Sequence, residues 1–99
     1  METIYFNGIP CHTAGTLPEV GTKAACYTFV TPELKEIHCA DFHGKRVVLN
    51  VFPSLDTPVC AASVRRFNNE AASLENTVVL CVSMDLPFAA GRFCEANGI

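Results

Sequence analysis

The sequence of 99 residues has no tryptophan, no long apolar stretch and no run of Lys and Arg longer than a pair. A membrane-spanning helix needs about 20 consecutive apolar residues, and no stretch of this sequence approaches that length. The first residues, Met1 to Phe6, also lack the basic segment and the long apolar segment of a signal peptide. The formal net charge is −3, which argues against a nucleic-acid partner or a membrane partner. We therefore expect a cytoplasmic protein.

Several motifs that carry metal or nucleophile chemistry are also absent. The sequence contains no Cys-x-x-Cys, His-x-x-x-His or His-Glu-x-x-His spacing, no glycine-rich phosphate loop and no Gly-x-Ser-x-Gly elbow. Two neighbouring pairs, Cys11-His12 and His38-Cys39, do bring metal-ligating residue types together. Because adjacent residues of a strand point to opposite faces, neither pair can easily chelate one ion. We expect no metal site.

The composition is that of one small globular domain. Hydrophobic residues make up 49% of the chain and charged residues 17%, which is typical of a sequence that forms a core. Six cysteines are present, at positions 11, 26, 39, 60, 81 and 94, and a secreted disulfide scaffold is one interpretation of that number. Without an export signal we expect most of these thiols to be reduced. We interpret Cys11, Cys26 and Cys39 as packing residues.

The order of apolar and turn residues predicts an α/β fold. Asn7-Gly8, between two short extended segments, is typical of a β-hairpin with a type I′ turn. Further extended segments are predicted at 25–30 and 37–39, buried strands at 47–52 and 78–83, and helices at about 58–74 and 87–95, the last capped by Asn97-Gly98. Strand, helix, strand and helix in this order predict a right-handed βαβ unit with one more helix, in a single domain over residues 1–99. Such a unit leaves sheet edges and apolar faces uncovered, so we expect an incomplete domain.

One cysteine stands where a helix start favours a thiolate. Thr57 suits the N-cap, Pro58 suits the first helical position, and Cys60 then falls at the third. The unpaired N–H groups and the positive dipole end of a helix start favour S⁻ over SH. We also expect the Thr57 hydroxyl to reach the backbone N–H at the third position and the neighbouring sulfur. The alternative, a buried apolar residue near a helix start, stays open on these grounds, and Cys94 by itself is best interpreted as a packing residue.

The stretch Phe52–Asn68 resembles the peroxidatic-cysteine segment of the thiol peroxidase subgroup of the peroxiredoxins. Pro53, Thr57 and Cys60 meet the pattern Pro, three residues, Thr or Ser, two residues, Cys, and segments 44–50, 76–83 and 85–94 are similar to the same subgroup. The resemblance implies a thioredoxin-like fold with an N-terminal β-hairpin, and no metal or organic cofactor. It implies Cys60 as the peroxidatic cysteine and Cys94 as the resolving cysteine, with Thr57 orienting sulfur and peroxide and Pro53 shielding the pocket from water.

The resemblance further implies partners and a missing part. The substrate would be a peroxide, the reductant thioredoxin, and the full-length protein a homodimer. Members of the family continue past Ile99 and supply an arginine that binds the peroxide, so we expect this chain to be truncated after the second helix. Two alternatives remain: a non-catalytic fragment, and a thioredoxin-like disulfide oxidoreductase, which the serine at position 63 disfavours because Cys-x-x-Cys requires a cysteine there.

Overall fold

The computed structural model describes all 99 residues and contains three two-stranded sheets and two α-helices. The strands are β1 (Thr3–Phe6), β2 (Ile9–His12), β3 (Thr28–Val30), β4 (Glu36–His38), β5 (Arg46–Val51) and β6 (Thr77–Val82), and the helices are α1 (Pro58–Ala71) and α2 (Pro87–Asn97). A 3-10 helix, Cys39–Phe42, follows β4. Neither α-helix combines the length and the apolar character that crossing a membrane requires.

The predicted N-terminal hairpin is present, formed by β1 and β2. The strands are antiparallel, with Phe6 opposite Ile9 and Thr3 opposite His12. Asn7 and Gly8 have φ angles of 49° and 80°, the left-handed values that a type I′ turn needs at both central positions. The Asn-Gly pair therefore sets this turn.

The second extended pair forms the antiparallel hairpin of β3 and β4, in which Thr28 lies opposite His38. Its strands are shorter than predicted. β3 begins at Thr28, so residues 25–27 of the predicted segment lie outside it, and Cys39 leaves the strand because a 3-10 helix begins there. The His38 N–H fixes that change of direction by donating to Asp41 Oδ2 at 2.8 Å.

The central unit is the predicted βαβ, in which β5 and β6 are parallel and α1 connects them. Arg46 lies beside Thr77 at one end of the ladder and Val51 beside Val82 at the other. The helix ends at Ala71, before the predicted Leu74. The N–H of Leu74 bonds to the carbonyl of Ala71, at three-residue spacing, and Asn76 has a φ of 50°. The chain therefore turns toward β6 earlier than the apolar spacing indicated.

The prediction of a buried strand at 47–52 is wrong for one face of β5. Val64, on α1, is the only buried residue, with 5% of its surface exposed. On β5, Leu49 is 47% exposed and Val51 69% exposed. Asn50 reaches α1 by donating its side-chain N–H to Ser63 Oγ at 3.3 Å. Because successive residues of a strand point to opposite faces, α1 covers the face of Asn50, and the face of Leu49 and Val51 stays open.

The last helix ends as the sequence predicts, in a glycine cap. α2 runs to Asn97, slightly past the predicted end at Glu95, and Gly98 adopts a left-handed φ of 68°. The Ile99 N–H bonds back to the carbonyl of Cys94 at 2.9 Å, which is the bond of a Schellman cap. The cap thus fixes the end of the helix that carries Cys94.

Candidate active site

The loop between β5 and α1 positions Cys60 as predicted. Thr57 is the N-cap of α1 and Pro58 the first helical residue, so Cys60 occupies the third position. The first α-helical hydrogen bond, between residues four apart, runs from the Ala61 N–H to the Thr57 carbonyl at 3.0 Å. The N–H groups of Val59 and Cys60 therefore lie ahead of that bond, at the positive end of the helix dipole. The Cys60 side chain is half-buried.

The predicted contact of the Thr57 hydroxyl with the helix start is wrong. Thr57 makes no side-chain cap, and its Oγ1 donates instead to the Ser54 carbonyl at 2.8 Å. The Thr57 N–H approaches the same carbonyl at 3.3 Å. The turn over residues 54–57 thus holds the hydroxyl against the loop backbone, where it still has lone pairs to accept a hydrogen bond.

Asp85 ties this loop to the neighbouring strand, a role that the sequence interpretation missed. Its Oδ1 accepts a hydrogen bond from Ser54 Oγ at 2.8 Å, and its Oδ2 accepts one from the Leu55 N–H at 2.8 Å and one from Ser83 Oγ at 2.6 Å. These bonds hold the pKa of Asp85 below its ordinary value of 3.8, with the Ser83 hydroxyl contributing most. The carboxyl ends of parallel strands meet at one edge of a sheet. The contact between the serine just after β5 and the aspartate just after β6 could therefore have been predicted from the sequence.

Cys94 lies on the wall of an apolar cavity of about 460 Å³. Cys81 also lines this cavity, together with Phe52, Val64 and Phe93, whereas Cys60 is not among its lining residues. Burial, and secondarily the negative charge of Glu33, raise the pKa of Cys94. Burial is also the main cause that raises the pKa of Cys81.

The site residues predicted from the sequence are thus brought together only in part. Pro53, Thr57 and Cys60 share one loop and helix start, with Pro53 and Thr57 exposed. Cys94 is on the other helix, and all six cysteines are free thiols. The helix between the two strands, α1, carries Cys60, and the helix after β6 carries Cys94.

The arginines of the two helices are engaged elsewhere or lie apart from Cys60. Arg66 Nε forms an ion pair with Glu70 at 3.1 Å, four residues along α1. Arg65 donates to Asn97 Oδ1 at 3.4 Å. Arg92 lines a smaller cavity of about 300 Å³ with the loop residues Leu55 and Asp56. None of these contacts involves the Cys60 thiol.

Comparison with known proteins defines the class. Residues 16–99 match the Redoxin family, and the chain belongs to that family.

The relatives narrow the class further. A thiol peroxidase of Corynebacterium glutamicum is 57% identical over 99 residues, which cover 100% of this chain and 60% of that protein. The crystal structure of a peroxiredoxin-like protein from Aquifex aeolicus superposes with a TM-score of 0.85 at 39% identity, covering 98% of this chain and 57% of the other. The thioredoxin-like α/β fold and the resemblance to thiol peroxidases among the peroxiredoxins are thereby confirmed. The chain spans about three-fifths of the length of these relatives.

Proposed function

We propose that this chain carries the reactive centre of a thiol-dependent peroxidase, which reduces hydrogen peroxide and organic hydroperoxides. The observation that carries the proposal is the position of Cys60, the third residue of α1. The loop before it is hydrogen-bonded to Asp85 through Ser54 and Leu55. A thiolate is the nucleophilic form of cysteine, and the helix start favours it. The similarity to a thiol peroxidase supports the same reaction.

In the first step the Cys60 thiolate attacks one peroxide oxygen. The O–O bond breaks, the sulfur becomes a sulfenic acid, and the other oxygen takes up a proton and leaves as water or alcohol. The Thr57 hydroxyl, whose proton is donated to the Ser54 carbonyl, orients the peroxide by accepting its hydrogen bond, and swings from that carbonyl to orient the sulfur. Pro53 shields the sulfur from bulk water. Backbone N–H groups at the start of α1 stabilise the charge on the leaving oxygen.

In the second step Cys94 resolves the sulfenic acid. Its sulfur attacks Cys60, a disulfide forms and water leaves. Because the two cysteines belong to separate helices, with Cys94 half-buried at the cavity wall, closing the bond requires local opening of α1, α2 or both. Thioredoxin is the proposed reductant of the disulfide, the cytoplasm the proposed compartment, and a homodimer the proposed assembly of the whole protein.

The proposal is tested by measuring peroxide consumption with the protein as its gene encodes it. We expect Cys60→Ser to lose the peroxide turnover that thioredoxin supports, because no sulfenic acid then forms for Cys94 to resolve. Cys94→Ser should still form the sulfenic acid once but fail to turn over with thioredoxin. Cys11→Ser, a cysteine of the N-terminal hairpin, is the matched control and should consume peroxide at the parent rate. Equal rates for the parent and Cys60→Ser would contradict the proposal.

A further inference from the structure

The open end of the β3–β4 hairpin brings two cysteines together that the proposed peroxidase reaction does not use. The last paired residues are Thr28 and His38, and the Cys39 N–H extends the ladder by donating to the Tyr27 carbonyl at 3.2 Å. Cys26 precedes Tyr27, so the two cysteines are offset by one residue across the hairpin. Each of the two thiols is near enough to the other to shift its pKa.

The backbone changes direction at this end of the hairpin, so strand alternation does not hold the two thiols on opposite faces. In two regular strands, residues offset by one would point to opposite faces. Here β4 stops at His38, the 3-10 helix begins at Cys39, and Cys26 lies outside β3. The side chains of Cys26 and Cys39 therefore do not follow the strand alternation.

The backbone at this end of the hairpin is held in place. Thr28 Oγ1 lies 3.0 Å from His38 Nδ1, and the His38 N–H bonds to Asp41 Oδ2. With a strand spacing of about 5 Å and a rise of about 3.3 Å per residue, Cα atoms offset by one residue are about 6 Å apart. That separation is within the range of about 4.4–6.8 Å found for disulfides. The Cα separation therefore permits a disulfide at this end of the hairpin.

The two thiols are also chemically unequal. The hydrogen bond from Cys26, followed by the Tyr27 N–H, lowers the pKa of Cys39. The same hydrogen bond and the charge of Cys39 raise the pKa of Cys26. Cys39 is thus the more acidic thiol of the pair, and Cys26 is the thiol that keeps its proton to higher pH. Cys26 is exposed and Cys39 half-buried, so small oxidants and reductants reach both.

We propose that Cys26 and Cys39 form a second redox-active dithiol, which hydroperoxides oxidise to a disulfide independently of Cys60. The Cys39 thiolate attacks a peroxide oxygen, the O–O bond breaks, and the leaving oxygen takes a proton and departs as water or alcohol. The Cys26 sulfur then attacks the resulting sulfenic acid, its proton leaves with the hydroxyl group as water, and the S–S bond forms. Two electrons pass from the thiol pair to the peroxide, and a small-molecule dithiol returns them by exchange. The inference goes beyond the proposed function, since neither residue belongs to the loop of Cys60 or to α2.

The test uses a variant in which the four other cysteines are replaced by serine, at positions 11, 60, 81 and 94. Hydrogen peroxide should remove both remaining thiols, lower the mass of the chain by two hydrogen atoms and yield a proteolytic peptide that links Cys26 to Cys39. In the same background, Cys26→Ser is the matched control. It should instead accumulate a sulfenic acid at Cys39 that dimedone traps. An unchanged mass, or oxidation to sulfinic acid without a linked peptide, would overturn the proposal.

A second measurement keeps the proposal testable if the quadruple variant does not fold. The single variant Cys60→Ser, with its other cysteines in place, is treated with hydrogen peroxide and mapped without reduction. We expect the Cys26–Cys39 peptide to appear at the same peroxide concentration as in the parent chain. Its loss in Cys60→Ser would show that the pair is oxidised only through Cys60, which overturns the independent reaction. Failure of the peroxidase proposal would leave the linked peptide unaffected.

Discussion

The carboxylate of Asp85 is the only acidic side chain that holds the loop before Cys60, and its removal tests whether that loop must be fixed. Asp85→Ala removes three hydrogen bonds, from Ser54 Oγ, the Leu55 N–H and Ser83 Oγ. Asp85→Asn keeps one carbonyl oxygen of the same shape and loses the charge. Asp56→Ala is the matched control, because Asp56 lies in the same loop and is exposed. Its carboxylate accepts none of the bonds that tie the loop to Asp85.

The expected size of the effect follows from these three bonds. A hydrogen bond to a charged group contributes about 1.5–3 kcal/mol when it is shielded from water. Asp85 is only half-buried, so solvent screening reduces each bond to about 0.5–1 kcal/mol, or about 2 kcal/mol for the three together. If all of this energy positions the loop for attack on peroxide, its loss lowers kcat/KM by about 30-fold. Asp85→Asn, which keeps one oxygen, should lose about 1 kcal/mol, or about fivefold.

The assay must separate a positioning role from general destabilisation. We would measure peroxide consumption at low substrate concentration and, on the same samples, the rate at which iodoacetamide alkylates Cys60. Peroxide needs aligned hydrogen-bond donors, whereas alkylation needs only an accessible thiolate. We therefore expect Asp85→Ala to slow the peroxide reaction far more than alkylation, while Asp56→Ala changes neither. A peroxide rate within about twofold of the parent, or an equal loss in both reactions, would refute the reasoning.

Two further predictions follow from the shifted pKa values. Because the pKa of Asp85 is lower in the folded chain than its ordinary 3.8, its ionised form stabilises the fold above that value, and the contribution disappears as the pH falls from about 3.8 through the folded-state pKa. Urea unfolding should therefore find the parent more stable than Asp85→Asn at neutral pH, with the gap closing in acid; a constant gap would contradict this. Glu33→Gln removes the smaller of the two causes that raise the pKa of Cys94, so the midpoint of Cys94 alkylation against pH should move modestly to lower pH. Glu19→Gln should leave it in place, and an unchanged midpoint in Glu33→Gln would show that burial alone controls this thiol.

Features that depend on a few neighbouring residues could be predicted from the sequence. The turn at Asn7-Gly8, the start of α1 at Pro58 and the cap at Gly98 each depend on one residue type with a strong backbone preference. The position of Cys60 in the first turn followed from the preference of threonine for the N-cap and of proline for the first helical position. The end of α1 could not be predicted, because leucine at position 74 fits the apolar spacing of a helix that the chain leaves at Ala71.

Contacts between distant segments were harder to predict, and the loop around Cys60 shows why. The Thr57 hydroxyl has two acceptable partners within a few residues, the helix start and the Ser54 carbonyl, and propensity does not decide between them. Asp85 lies thirty residues after Leu55 in the chain, and only the parallel register of β5 and β6 places both at one sheet edge. To predict that contact, one must know how the two strands pair and not only where each strand lies in the sequence.

The two thiol pairs also differ in whether local structure or the packing of distant segments places their cysteines. Cys26 and Cys39 lie at one end of a hairpin, a local structure that already joins their segments, so the disulfide proposed between them requires no opening of the helices. Cys60 and Cys94 are placed by a βαβ crossover and a further helix, and the disulfide proposed between them requires helical turns to open. Opening also removes Cys94 from the cavity wall that raises its pKa, so the motion that brings the sulfurs together makes Cys94 a better nucleophile. On the proposed mechanisms, a sulfenic acid on Cys60 therefore persists until the helices open, whereas one on Cys39 has its partner thiol on the adjoining segment of the same hairpin.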